Sequence, residues 1–154
     1  MATIDTFLQQ HQELMQLTRE VVPLLHAEQL ARNCTEARLK IASWTRKLRV
    51  HFTLEERSLY PRLVTHPDPQ IVRRATRFQQ DLSTLGDQLT VYCRDWLAED
   101  ATIRGSAVRF VEQTKAMFDQ VTKRFHMEDD LYLLADQTSS LSIDEALAPS
   151  GAAR

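Results

Sequence analysis

The sequence of 154 residues contains few of the residues that interrupt helices or form covalent cross-links. It has only three glycines and five prolines, and three of the prolines fall between residues 61 and 69. Scarce helix breakers favour long helices over many short strands. Cys34 and Cys93 are isolated and form no CxxC pattern, which is typical of reduced thiols in a cytoplasmic protein.

Charge and hydropathy exclude several classes of protein. The formal net charge is −2 and no long basic run occurs, so the chain lacks a nucleic-acid-binding signature. No stretch approaches the roughly 20 apolar residues of a membrane span. The first ten residues have no signal-peptide pattern. With 43% hydrophobic and 26% charged residues, we expect one soluble, cytoplasmic domain.

The spacing of apolar residues predicts four helices. They cover approximately residues 4–31 with a kink at Pro23, 35–61, 69–97, and 101 or 106 to 136, and Pro61 is expected to bend or end the second helix. Asp68 is expected to cap the third helix, with Pro69 at its first position. Helices of this length joined by short turns predict an all-α, up-down-up-down four-helix bundle over residues 1–137. The Ser- and Ala-rich residues 138–154 are predicted to form a flexible C-terminal tail.

Helical phase, at about 100° per residue, places several ionisable side chains in the apolar faces. His11 lies in the centre of the apolar face of the first helix, and His51 and Glu55 lie in that of the second. On the fourth helix the phase directs Arg124 and Glu128 inward. His126 and Asp130 lie about 160° from Glu128 and should face solvent. Together with Glu56, Asp129 and Asp130 are predicted to form a solvated acidic edge.

A weak internal repeat relates the two halves of the chain. The stretch HQELMQL (11–17) is similar to QQDLSTL (79–85), and HFTLEE (51–56) is similar to RFHMED (124–129). In this pairing Gln79 corresponds to His11, Arg124 to His51, and Glu128 to Glu55. A bundle with pseudo-two-fold symmetry would bring these positions together around one central point.

These residues resemble the hemerythrin-like family of HHE cation-binding domains, up to about residue 136. HFTLEERSLYP matches the second helix of the family and FLQQHQELMQL the first. The resemblance implies a di-iron centre that binds dioxygen, nitric oxide or electrons. It assigns His11 and His51 to one iron, and Glu55 and Glu128 to both. The histidine positions of the other iron hold Gln79, Ser83 and Arg124.

The incomplete match leaves three alternatives open. One is a mononuclear site for iron, manganese or zinc, with His11, His51, Glu55 and Glu128 as ligands. In this site Arg124 would pair with both glutamates, and Gln79 would lie beside the ligands. The second alternative is a metal-free polar network, in which Arg124 and a protonated histidine neutralise the two glutamates. The third is a dinuclear site that uses Gln79.

The sequence shows no nucleophile with its base and no phosphate-binding glycine loop, so we do not expect an enzyme. The hemerythrin-like resemblance implies sensing, storage or redox-related work. A second resemblance, to the regulator of sigma D family, is carried by HFTLEE and by RFHMEDDLYLLAD, in which Arg124, Phe125, Glu128 and Asp129 match. It implies a metal-free four-helix protein whose partner is a sigma factor.

Overall fold

The computed structural model describes residues 3–99 and 101–146, with side chains up to residue 138. These residues are almost entirely helical and form no strand, so the predicted all-α fold is confirmed. The helices are α1 (Ile4–Val21), α2 (Ala27–Arg32), α3 (Thr35–Leu54), α4 (Tyr60–Leu63), α5 (Pro69–Trp96) and α6 (Ala107–Ala146).

The long helices form a four-helix bundle with antiparallel neighbours. α1 packs against α3 and α6, and α5 packs against the same two helices from the other side. Each of the four long helical segments therefore touches two others, and apolar side chains from all four meet in one core. The second segment, called a rod like the others, runs from α3 through the turn at 55–59 to α4. Among the described residues, no helix is both long enough and apolar enough to cross a membrane.

Proline and capping residues determine where the helices begin and end. The Asp68 side chain accepts a hydrogen bond from the Gln70 backbone N–H, and Pro69 opens α5, as predicted. Pro23 does not merely kink the first helix, as the sequence suggested, but ends it. α1 stops at Val21, and residues Val22–Leu24 tighten into a 3₁₀ turn before the short α2. The missing proline N–H cannot continue the α-helical hydrogen bonds.

Between α3 and α4 the helix widens into one π-helical turn, Glu55–Leu59. The Tyr60 backbone N–H donates to the Glu55 carbonyl, five residues earlier. Pro61 follows directly, and in a regular α-helix its ring would clash with the Arg57 carbonyl. The wider turn avoids this clash, so the helical segment continues through α4 to Leu63, past Pro61, where the sequence predicted a bend or an end.

α6 extends beyond its predicted end near Asp136 and reaches Ala146. The part of the predicted tail at 147–154 lies outside the described residues. In the core, Trp44 on α3 is fully buried and packs edge-on against Phe118, with a ring-centroid distance of 4.8 Å. The indole Nε1 of Trp44 has no hydrogen-bond partner within the described part of the chain.

Candidate metal centre

Four buried ionisable side chains from three rods meet inside the bundle. They are His11 on α1, His51 on α3, Glu55 at the first position of the π turn, and Glu128 on α6. The two histidine Nε2 atoms are 3.0 Å apart. His51 Nε2 lies 3.0 Å from Glu55 Oε1, and His11 Nε2 lies 3.3 Å from Glu128 Oε2. One donor atom from each residue lies within 4.8 Å of the others, so a single ion could reach all four.

The outer ring nitrogens of both histidines are held by oxygen acceptors. His11 Nδ1–H donates to Asp129 Oδ1 at 2.5 Å, and His51 Nδ1–H donates to Gln10 Oε1 at 2.7 Å. In a neutral imidazole with Nδ1 protonated, Nε2 carries the free lone pair. When both imidazoles are neutral, both Nε2 lone pairs therefore point into the cluster, which is the arrangement that metal-binding histidines usually have. His11 also stacks on Phe125 at a centroid distance of 4.1 Å, which fixes its ring plane.

Each of the two glutamates accepts a hydrogen bond from one tyrosine, through one of its two carboxylate oxygens. The Tyr132 hydroxyl donates to Glu55 Oε1 at 2.8 Å, and the Tyr60 hydroxyl donates to Glu128 Oε1 at 2.9 Å. The other oxygen of each carboxylate, Oε2, is buried and accepts no hydrogen bond from the described residues. A buried carboxylate oxygen without a donor is unfavourable by roughly 1–3 kcal/mol or more. Glu55 Oε2 therefore fits a bound cation, and so does Glu128 Oε2, whose one charged neighbour on this side is the His11 ring 3.3 Å away.

Arg124 lies on α6 and contacts the cluster on the side that faces α5. Its Nε lies 2.6 Å from Glu128 Oε1, and its Nη2 donates to the Tyr60 hydroxyl at 2.7 Å and to the Phe78 carbonyl at 3.0 Å. No direct ion pair joins Arg124 to Glu55 in the part of the chain that the structure describes. The expectation that Arg124 pairs with both glutamates is thus corrected to Glu128 alone.

The charges of the cluster do not balance without an added cation or protons. Three carboxylates (Glu55, Glu128 and Asp129) face one guanidinium group, so two negative charges remain. Burial lowers the pKa of His11, but interactions with the carboxylates of Asp129, Glu128 and Glu55 outweigh burial and raise the pKa to about 10. Burial and the neighbouring charge of Glu55 raise the pKa of Glu128. The ion-free cluster thus attracts protons, and a divalent ion supplies the same charge.

The pKa of Glu55 is shifted in the opposite direction, downward. Burial raises the pKa of its carboxyl group, but hydrogen bonds with His11 and His51 have the larger combined effect and lower the pKa to about 2. Glu55 therefore stays ionised, whereas Glu128 is the carboxylate that takes up a proton first. Tyr60 and Tyr132 are buried beside these charges, which raises the pKa of both hydroxyl groups and keeps them as donors.

α5 contributes no ligand to the cluster. Gln79 and Ser83 are exposed, and the inward positions on this helix belong to Phe78 and Leu82. The predicted place of Gln79 beside the ligands is therefore wrong, and so is a dinuclear site that uses it. Gln79 lay near the edge of the apolar face, where a phase difference of one residue decides the direction.

The surface assignments on α6 are mostly confirmed. His126 and Asp130 are exposed, as predicted, and so is Glu56 on the π turn. Asp129 differs, because it is half-buried and binds His11. The sequence interpretation also missed Gln10 and Tyr60, the partners of His51 and Glu128. For Gln10, the only available signal would have been its position next to the inward His11.

Comparison with known proteins agrees with this geometry. The model of the hemerythrin HHE cation binding domain matches residues 2–134. No curated protein and no solved structure matches the chain. The family match covers most of the chain and includes all four clustered residues, so the protein belongs to the hemerythrin HHE cation-binding domain family.

Proposed function

We propose that this protein binds one divalent cation between His11, His51, Glu55 and Glu128. The observation that carries the proposal is the convergence of two histidines and two glutamates, all buried, each with one possible donor atom within 4.8 Å of the others. The excess of two negative charges matches a divalent ion. Mixed nitrogen and oxygen donors suit iron, manganese or zinc, and we propose iron first because of the family resemblance.

The surrounding residues would orient and protect such an ion. Asp129 and Gln10 hold the imidazoles with Nε2 directed inward, and Phe125 covers the face of His11. Iron at this position would supply a redox-active centre for sensing dioxygen or nitric oxide, for storage or for electron transfer. We propose a cytoplasmic, non-catalytic protein, consistent with the lack of a nucleophile-and-base pair in the sequence.

Elemental analysis of protein purified without chelator, and of protein refolded with excess iron, manganese and zinc, tests this proposal. We expect about one equivalent of metal in the wild type and a loss of most of it in His51→Ala. His126→Ala is the matched control, because His126 is exposed on α6, and it should retain the metal. Wild-type protein with well under one equivalent after refolding would refute the proposal.

A second candidate function is a metal-free regulator that binds a protein such as a sigma factor. It is supported by the ability of the cluster to neutralise itself, since His11 takes up a proton and Arg124 pairs with Glu128. The residues that carry the sigma D resemblance lie mainly inside the bundle, so a partner would contact other surfaces. This candidate predicts that a sigma factor co-purifies with the protein and that His51→Ala leaves this binding intact.

A further inference from the structure

The guanidinium group of Arg124 is surrounded by oxygen atoms. Glu128 Oε1, the Tyr60 hydroxyl oxygen and the Phe78 carbonyl oxygen lie 2.6, 2.7 and 3.0 Å from its nitrogens. Negatively charged or neutral oxygens are also the ligands that hard divalent cations prefer. The place that Arg124 fills therefore has the chemistry of a cation site.

Glu128 connects this place to the proposed metal site. Its Oε2 lies 3.3 Å from His11 Nε2, on the side of the histidines, whereas its Oε1 lies 2.6 Å from Arg124 Nε. One carboxylate thus separates two positions for positive charge. The first is bounded by the histidines, and the second is occupied permanently by the side chain of Arg124.

We propose that Arg124 acts as a built-in cation that limits the cluster to one metal ion, and that its removal opens a site for a second divalent cation. The inference rests on the proposed function, because it assumes that the first position binds an ion. Arg124 is therefore a residue that determines stoichiometry.

The surroundings of Arg124 explain why the side chain stays in place. The rings of Phe78 and Phe52 lie 5.5 and 6.0 Å from its guanidinium carbon, so cation–π contacts add to the ion pair. An arginine also keeps its charge at any accessible pH, unlike a histidine, which would exchange a proton for a metal. The second position consequently cannot be loaded in the wild-type protein.

A path for a second ion exists once the side chain is shortened. A cleft of about 350 Å³ lies between α5 and α6, and its lining includes Arg124, Lys123, Gln120 and Asp81. The last three side chains are exposed, so the cleft opens to solvent. In Arg124→Ala, a hydrated ion could pass from this cleft to Glu128 Oε1 and the Tyr60 hydroxyl.

The test is a titration of metal-free protein with Mn²⁺, with bound ions counted by elemental analysis and their proximity read by electron paramagnetic resonance. We expect one ion in the wild type and two in Arg124→Ala. The two ions should be exchange-coupled, because they share the Glu128 carboxylate. Lys123→Ala is the matched control, since it removes the same charge from the same cleft at an exposed position, and it should bind one ion.

The possible results separate the inference from the proposed function. If the wild type binds no ion, the proposed function fails. If the wild type binds one ion and Arg124→Ala also binds one, or binds a second that is uncoupled, only the inference fails. Two coupled ions in the wild type would overturn the inference as well.

Folding of the variants adds a further criterion. Arg124→Ala leaves the buried Glu128 carboxylate without its partner, and such a change is strongly destabilising. Arg124→His serves as a second variant, since it places a metal-binding nitrogen at the same position. We expect both variants to melt at a higher temperature with two equivalents of Mn²⁺ than with one. Failure of both to fold with excess Mn²⁺ would overturn the inference, because the second ion should replace the lost charge.

Discussion

At the scale of single residues, the hydrogen bonds behind the two histidines matter as much as the histidines themselves. Asp129 and Gln10 hold the Nδ1 atoms of His11 and His51. A carboxylate acceptor makes the imidazole a stronger electron donor than an amide acceptor does. His11 is accordingly the better-supported ligand of the two, and Asp129 is the residue that supports it.

The first residue-scale prediction concerns Asp129→Asn. The amide keeps a hydrogen bond to His11 Nδ1 but removes the negative charge, so metal affinity should fall about 10- to 100-fold. Competition with a coloured chelator measures the change. Asp130→Asn, which removes a charge from the next and exposed position, should have an affinity within about twofold of the wild type. Equal affinities for both variants would show that Asp129 does not support a ligand.

The residues that could be predicted from the sequence are those whose direction follows from the helical period. His11, His51, Glu55 and Glu128 each lie well inside an apolar face, so a count at about 100° per residue places them inward. Tyr60 could not be found in this way. In a regular α-helix it would lie about 140° from Glu55, and only the π turn brings both side chains into the core.

At the scale of helices, the π turn Glu55–Leu59 is the irregular element of the site. It adds one residue to the rod, and such turns are rare and frequently found at functional sites. Glu55 opens the turn, and Tyr60, which follows its end, binds Glu128. The turn therefore sets the distance between a proposed ligand and the tyrosine that holds another ligand.

A deletion tests the role of the π turn. Removal of the exposed Arg57 should convert the turn into a regular α-helical turn, with Tyr60 four residues after Glu55 and still inward. We expect the variant to fold with a lower melting temperature than the wild type, because the proline ring then meets a regular α-helical carbonyl, and metal affinity reduced about tenfold or more. Thermal unfolding by circular dichroism and a chelator titration provide the two readings. Unchanged affinity would show that the wider turn has no function.

The matched control is deletion of the exposed Arg77 from the regular part of α5. This deletion rotates all later residues of α5 by about 100° relative to the core. Buried residues such as Leu82, Leu85 and Leu89 would leave the interior, so the control should unfold. If the Arg57 deletion folds and the Arg77 deletion does not, the helical segment around Glu55 contains one residue more than its packing requires, whereas α5 does not.

The number and order of the helices could be read from the sequence because breakers are few and mark the connections. Pro23 and the Asp68–Pro69 pair are examples, although Pro23 proved stronger than predicted and ended α1. The extent of α6 was underestimated, since Ser- and Ala-rich segments carry no apolar period to indicate a helix. Pro61 indicates an irregularity in the second helix, but whether the helix bends, ends or widens into a π turn depends on tertiary packing.

At the scale of the whole molecule, the cluster should make stability depend on pH. The pKa of His11 is raised from 6.5 to about 10 in the folded, ion-free protein. Its stabilising effect is therefore complete below pH 6.5 and is lost as the pH rises through 10. The raised pKa of Glu128 acts in the same direction. The lowered pKa of Glu55 acts only below pH 4.5.

We therefore predict that the melting temperature of the chelator-treated protein decreases between pH 6.5 and pH 10. The metal-loaded protein should show a smaller decrease, because a metal must displace the proton from His11 and binds better as the pH rises. Scanning calorimetry at several pH values measures both trends. His11→Gln, which cannot take up the proton, should flatten the ion-free curve. A melting temperature of the ion-free wild type that rises over this interval would contradict the prediction.

The burial of Trp44 has a practical consequence for the study of this protein. The indole lies seven residues before His51 on α3, which is about 10 Å along the helix axis, and water does not reach it. Such an indole emits at short wavelength, and a paramagnetic ion at that separation quenches its fluorescence. The fold thus carries an intrinsic optical reporter within a few turns of its most charged region, so occupancy can be followed in real time without a dye.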